Sequence, residues 1–237
     1  MTAPPALRLE GRVTIGGDPV FGDLALDVQA GEWTALLGAS GVGKSTVLRL
    51  FAGLSDGMTF EGTVTDLAGQ VSLMAQDDLL MPWLSALDNV LIGARLRGEP
   101  VDRGRALERL AQVGLADKAD AKPRALSGGQ RQRVALARTL IEDRPVALLD
   151  EPFSALDALT RAQMQELSAD LLSGRTVLLV THDPGEAVRL GHKILVMTPG
   201  GLKPMPVPAG TVPRPVDAPD VLATQAALLN ELRGRSQ

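Results

Sequence analysis

Apolar and polar residues alternate along residues 7–15 and again along 22–29, the period of a half-buried strand. Gly16-Gly17-Asp18-Pro19 separates the two runs and predicts a turn, so the chain opens with antiparallel pairing. Other runs show no alternation: Trp33-Thr34-Ala35-Leu36-Leu37, Val146-Ala147-Leu148-Leu149 and Thr176-Val177-Leu178-Leu179-Val180 are almost wholly apolar. Such runs suit parallel strands covered on both faces. Further strands are predicted over 60–66, 70–75 and 193–198. Helices are predicted over 46–51, 85–97, 102–114, 128–142, 159–172 and 220–233. The helical stretches at 85–97 and 102–114 read as an insert within an α/β chain. Seven of the sixteen prolines fall in 199–219, which predicts a linker or irregular loop rather than a packed element.

Composition narrows the class. A chain of 237 residues, 45% hydrophobic, can build one large α/β domain or two small ones around a sizeable core. A net charge of −4 argues against a dedicated nucleic-acid binder. With no cysteine there is neither a disulfide framework nor a thiolate metal site, which suits a reducing cytosol. Met1-Thr2-Ala3-Pro4-Pro5 carries neither the basic nor the apolar region of a secretory signal. No apolar run approaches a bilayer span, so work at a membrane is expected to go through a partner.

Three segments carry chemistry. Gly38-Ala39-Ser40-Gly41-Val42-Gly43-Lys44-Ser45, followed by Thr46 and a helix, fits the G-x-x-x-x-G-K-[ST] phosphate loop. Its glycines let backbone N–H groups approach phosphates, and the helix N-terminus adds positive partial charge. Lys44 is expected to reach the β- and γ-phosphates, and Ser45 to ligate Mg²⁺. Asp150 and Glu151 end an apolar strand, where side chains point into the ligand crevice of a parallel sheet. Asp150 is placed to hold Mg²⁺, and Glu151 to orient and deprotonate the attacking water. Ser127-Gly128-Gly129-Gln130 opens a second helix and makes a second anion-binding start, or a plain cap with Ser127 at its head.

The run from Leu126 to Arg138, Leu-Ser-Gly-Gly-Gln-Arg-Gln-Arg-Val-Ala-Leu-Ala-Arg, resembles the signature segment of ABC-type ATPase subunits. Asp150-Glu151-Pro152, Ser154-Ala155-Leu156-Asp157 and Thr181-His182-Asp183 extend that resemblance, in the family's order, over about residues 7–198. It implies a RecA-like P-loop NTPase core (1–76 and 127–198) with an N-terminal antiparallel β subdomain, an inserted α-helical subdomain (77–126), and a Pro-rich linker with a C-terminal helix (199–237). It also implies a head-to-tail homodimer in which ATP lies between one phosphate loop and the partner's Ser127 to Gln130, with Ser127 and Gly129 on the γ-phosphate. By the same resemblance Gln76 senses Mg²⁺ and the attacking water, His182 contacts the γ-phosphate, and Asp157 links the two sites. Arg131 and Arg133 are expected in surface pairing, and His192 at the surface. Ile15 stands where the family stacks an aromatic ring on adenine, while Phe21 is expected in the core. Losing the ring removes a term on the order of 1–3 kcal/mol, so weaker nucleotide affinity or looser base selection is expected.

The apolar loop Leu79-Leu80-Met81-Pro82-Trp83-Leu84 after Gln76 reads as a partner contact, a cap on the insert's own core, or both. In the family this region grips an integral-membrane permease. The stretch from Gln76 to Val90 resembles importers of nitrate, sulfonates, taurine and thiamine precursors, with a slight lean towards a thiamine-precursor pyrimidine. The resemblance implies a peripheral subunit at the cytoplasmic face of the inner membrane, served indirectly by an extracytoplasmic solute-binding protein and contacting no nucleic acid. An exporter or lipoprotein-release ATPase is the alternative within transport, disfavoured by this loop. An ABC ATPase acting on DNA or ribosomes is the alternative outside it, disfavoured by the lack of long inserts and of a basic face.

Overall fold

The computed structural model describes residues 3–233. The chain begins with β1 (Leu7–Ile15), β2 (Asp18–Val28), β3 (Trp33–Gly38), α1 (Lys44–Phe51), β4 (Met58–Val64) and β5 (Val71–Met74). Helices α2 (Ala86–Val90), α3 (Ile92–Leu96), α4 (Arg103–Gln112) and α5 (Gly128–Ile141) follow. It then runs β6 (Val146–Asp150), α6 (Ala158–Leu171), β7 (Thr176–Val180), α7 (Pro184–Leu190), β8 (Lys193–Thr198), β9 (Gly201–Met205) and α8 (Pro219–Arg233).

Two sheets organise these elements. A three-stranded antiparallel sheet runs β2-β1-β4, and a six-stranded sheet runs β5-β6-β7-β3-β8-β9, parallel except for β9. The unbroken apolar runs have the predicted cause: each central strand is buried on both faces. Ala147 and Leu149 of β6, with Val177 and Leu179 of β7, face the core shared with α2, α4 and α5. Their neighbours Val146, Leu148, Leu178 and Val180 face the opposite core, formed with α1 and the antiparallel sheet. Ala35 and Leu37 of β3 pack instead under α7 and α8.

Register sets up the working edge. Met74, Leu149, Leu179 and Ala35 pair in sequence and form one row across β5, β6, β7 and β3. The chain therefore leaves all four strands at one level, through Gln76, Glu151, Thr181-His182 and the 38–45 loop. This is the carboxyl edge at which open α/β sheets bind ligands.

The structure departs from expectation in four places. The helix predicted over 85–97 is two short helices that part at Leu91, beside the weak helix former Gly93. β2 begins at Asp18, so Asp18 and Pro19 are strand rather than turn; β2 is an edge, where proline is tolerated. Helix α7 was not expected. The linker predicted over 199–219 is not wholly irregular, because β9 pairs antiparallel with β8 inside it. That segment is also pinned further on: buried Arg214 donates to the Val188 and Gly191 carbonyls at 2.8 Å each.

Candidate active site

The 38–45 loop joins β3 to α1. Gly43, at φ 105°, caps α1 in the left-handed region, and a Cβ there would lie 2.9 Å from Phe21 Cδ1. Phe21 is buried, as expected, and forms the floor beneath the loop. Lys44 folds over its own loop and donates from Nζ to the Gly38 and Ala39 carbonyls at 2.8 and 2.9 Å. Burial pulls its pKa down, and the nearby Glu151 and Asp150 carboxylates push it back up.

Asp150 ends β6 and is buried, with Oδ1 lacking any hydrogen-bond partner. Desolvation raises its pKa, opposed first by the Ser45 side chain and more weakly by Lys44. An orphaned buried carboxylate oxygen beside a serine hydroxyl is a hard-oxygen donor set of the kind Mg²⁺ accepts.

Glu151 follows at φ 47°, a conformation that a non-glycine residue adopts only when held there. Its Oε2 lies 3.0 Å from His182 Nδ1. His182 in turn lines a cavity of about 970 Å³ walled by Gly38 to Val42, Met197 and Thr198. Phosphate loop, cation, paired carboxylates and imidazole thus meet at one sheet edge. Gln76 leaves β5 at the same level on an exposed bend.

Three further expected site groups stand at element ends. Ser127 to Gln130, like Lys44, Asp150 and Glu151, do not line that cavity. Ser127 heads α5 in a capping box: its Oγ accepts from Gln130 N at 3.2 Å, while Ser127 N donates to Gln130 Oε1 at 2.8 Å. Capping occupies an acceptor site and leaves the O–H proton available to an outside anion. Asp157 is exposed and caps α6, accepting from Thr160 N at 3.0 Å; that backbone bond lowers its pKa. Ile15 ends β1 opposite Asp18 and Met58, is 42% exposed, and is likewise outside the cavity wall.

The family model described as "ABC transporter" matches residues 21–154, more than half the chain. The chain belongs to the ABC transporter family. As an ABC ATPase it binds and hydrolyses ATP, and its fold is the P-loop cassette with an antiparallel β subdomain and an inserted helical one. It is 45% identical over 218 residues to an aliphatic sulfonates import ATP-binding protein of Delftia acidovorans, covering 91% of this chain and 89% of the relative. It is 41% identical to an uncharacterized ABC transporter ATP-binding protein of Haemophilus influenzae, with 94% and 96% covered. Among solved structures it is similar to the ATP-binding cassette MJ0796, in a dimeric post-hydrolysis state bound to ADP and Pi. There the TM-score is 0.77 at 31% identity, covering 86% of this chain and all of the other. Among the described residues of this ABC subunit, no helix is long and apolar enough to cross a membrane.

Sequence reasoning missed several residues around the ABC site. Arg131 and Arg133 do pair as expected: Arg131 Nε donates to Asp78 Oδ2 at 2.8 Å, and Arg133 Nη1 to the Val113 carbonyl at 2.7 Å. Arg138, assigned no role, donates to the Asp78 and Leu79 carbonyls at 2.7 and 2.9 Å. Helix α5 therefore grips the loop that follows Gln76. In that loop Leu80 enters the core, as a cap on the insert would require, while Leu79 and Trp83 are exposed, Trp83 by 66%. Glu186, buried behind His182, accepts from Thr181 Oγ1 at 2.7 Å, and burial pushes its pKa up to about 7. His192 is exposed as expected, although its Nδ1 accepts from the Trp33 amide at 3.0 Å.

Proposed function

We propose that this chain is the ATP-hydrolysing subunit of an uptake transporter and works as a head-to-tail pair held by a membrane permease. One observation carries the reading: Lys44 on its phosphate loop, Asp150 and Glu151 at the end of β6, and His182 beside Glu151 stand at one sheet edge, while Ser127 to Gln130 do not line the cavity that the loop and His182 share. A site so divided is completed by a second copy. The similar MJ0796 cassette, itself dimeric, supports the same arrangement.

In this reading Lys44 exchanges its loop carbonyls for the β- and γ-phosphate oxygens, and the loop amides surround them. Ser45 and Asp150, with Gln76, would hold Mg²⁺, which when bound neutralises phosphate charge. Glu151 accepts the proton of the attacking water, and His182, whose Nδ1 lies 3.0 Å from Glu151, has its other ring nitrogen for the γ-phosphate. The partner's Ser127 O–H and Gly129 amide complete the shell, and Asp157 stands at the seam between sites. Hydrolysis removes the shared γ-phosphate and reopens the pair, which is the mechanical stroke.

The stroke passes to the permease through the loop at 77–84, whose exposed Leu79 and Trp83 suit a docked helix. Contact with the permease keeps this subunit at the cytoplasmic face of the inner membrane. For the solute, the Delftia acidovorans relative favours aliphatic sulfonates; the lean towards a thiamine-precursor pyrimidine draws no support from it. The permease and an extracytoplasmic binding protein select the solute.

The test is Glu151→Gln. We expect ATP binding to persist, turnover to fall at least 100-fold, and a stable dimer to appear by light scattering with ATP and Mg²⁺. Normal turnover, or a monomer under those conditions, overturns the reading. Purified with its permease, the subunit's ATPase should respond to aliphatic sulfonates above nitrate, taurine or the pyrimidine.

A further inference from the structure

Gln132 lies one turn beyond Gly129 on α5 and is buried. Its amide is spent on the segment that leaves β6. Nε2 donates to the Glu151 carbonyl at 3.0 Å and to Ser154 Oγ at 3.2 Å, and Oε1 accepts from Ala155 N at 2.8 Å. The Glu151 carbonyl also accepts from Ser154 Oγ at 3.0 Å. These bonds fall on the residue whose φ of 47° must be held by its surroundings, and on the turn leading to Asp157. Gly129 touches the same turn: a Cβ at that position would lie 3.1 Å from the Ala155 carbonyl. Residues 129 and 132 share a helix face, so α5 meets the 151–155 segment over a full turn.

We propose that Gln132 is a positioning residue that ties the backbone of Glu151 to the seating of its own chain's signature helix. The proposal rests on the reading in which Ser127 engages the partner's nucleotide. Under it, the helix that contacts one ATP holds the carboxylate that hydrolyses the other. Engagement at Ser127 seats α5. Gln132 passes that seating to Glu151 through two hydrogen bonds to main chain. Glu151 keeps its place beside His182 only while its backbone is held.

The experiment is a double-mutant cycle on the full chain, purified with its permease. Gln132→Met preserves length and volume and removes both polar ends. We expect kcat to fall at least 10-fold with KM for ATP within twofold, since nothing in the phosphate loop is touched. Ser127→Ala should lower kcat on its own. The double variant should be no slower than about twice below the worse single, because both act along one path.

A Gln132→Met chain with kcat within twofold of the unsubstituted protein overturns the proposal, as does a strictly multiplicative double variant. An inert Ser127→Ala instead overturns the reading beneath it. Should the Met variant not fold by circular dichroism, Gln132→Glu is measured in its place. It accepts from Ala155 N but, when ionised, cannot donate to Glu151, so the same fall in kcat is expected and its absence is equally fatal.

Discussion

Arg138→Met tests whether α5 controls the loop after Gln76. The guanidinium donates to two loop carbonyls, Asp78 at 2.7 Å and Leu79 at 2.9 Å, and Leu79 sits at φ 46°. Hydrogen bonds from a charged donor contribute about 1.5–3 kcal/mol each, but the Leu79 carbonyl is solvent-accessible and water can replace that partner. The net loss is therefore about 2–3 kcal/mol, confined to the loop. Burial pulls the Arg138 pKa down, so the charge is itself costly where it stands. Methionine relieves that cost, and global unfolding in urea should shift by less than about 1 kcal/mol. Local opening, in contrast, should become about 30- to 150-fold more frequent. Hydrogen exchange reads this directly at the Leu80 and Met81 amides, which donate to Asp78 Oδ1 and Asn89 Oδ1 at 3.1 and 2.7 Å. Both should exchange faster by that factor, while the amides of β6 and β7 do not change. Unaltered protection at Leu80 and Met81 would show that the arginine does not hold the loop. Basal ATPase of the isolated subunit should survive, and stimulation by the permease should be lost.

Ile15→Tyr should restore a ring for adenine and tighten ATP binding by about 1–3 kcal/mol, with a smaller gain for GTP; equal affinities before and after exclude a base-stacking role for this position. Glu186 supplies a pH signature. Its pKa is about 7 in the fold against 4.5 ordinarily, because it is buried, so the native chain holds its proton longer and stability falls as pH rises from about 4.5 to 7. Glu186→Gln should flatten that slope, worth at most about 3 kcal/mol, in urea titrations at pH 5 and 8; identical slopes in the two chains refute the assignment.

Much of this architecture is legible in the sequence because burial on both sheet faces leaves unbroken apolar runs, as in β3, β6 and β7. The 38–45 loop and the Ser127–Gln130 cap are legible for another reason, since backbone geometry there dictates particular residues. β9 escapes notice because an antiparallel edge strand containing Lys203 and Pro204 shows neither alternation nor an apolar run. Helix α7 announces itself only through Asp183 at the cap and Pro184 at the first position, and seven residues give too few turns for a period. Gln132 and Arg138 stand in the signature run, but nothing in the sequence signals what they hold. Their partners are mostly main-chain groups 19 to 60 residues away, which any sequence can present.

The lysine curled onto its own loop has a consequence for how a nucleotide arrives. Two carbonyl dipoles already take two of the ammonium's three donors, so the loop largely satisfies its own cation. In the proposed reading, arrival of a triphosphate is then a substitution, in which stronger anionic acceptors displace weaker neutral ones. The loop need not be assembled around its guest, and the guest's departure after each cycle leaves the cradle ready for the next.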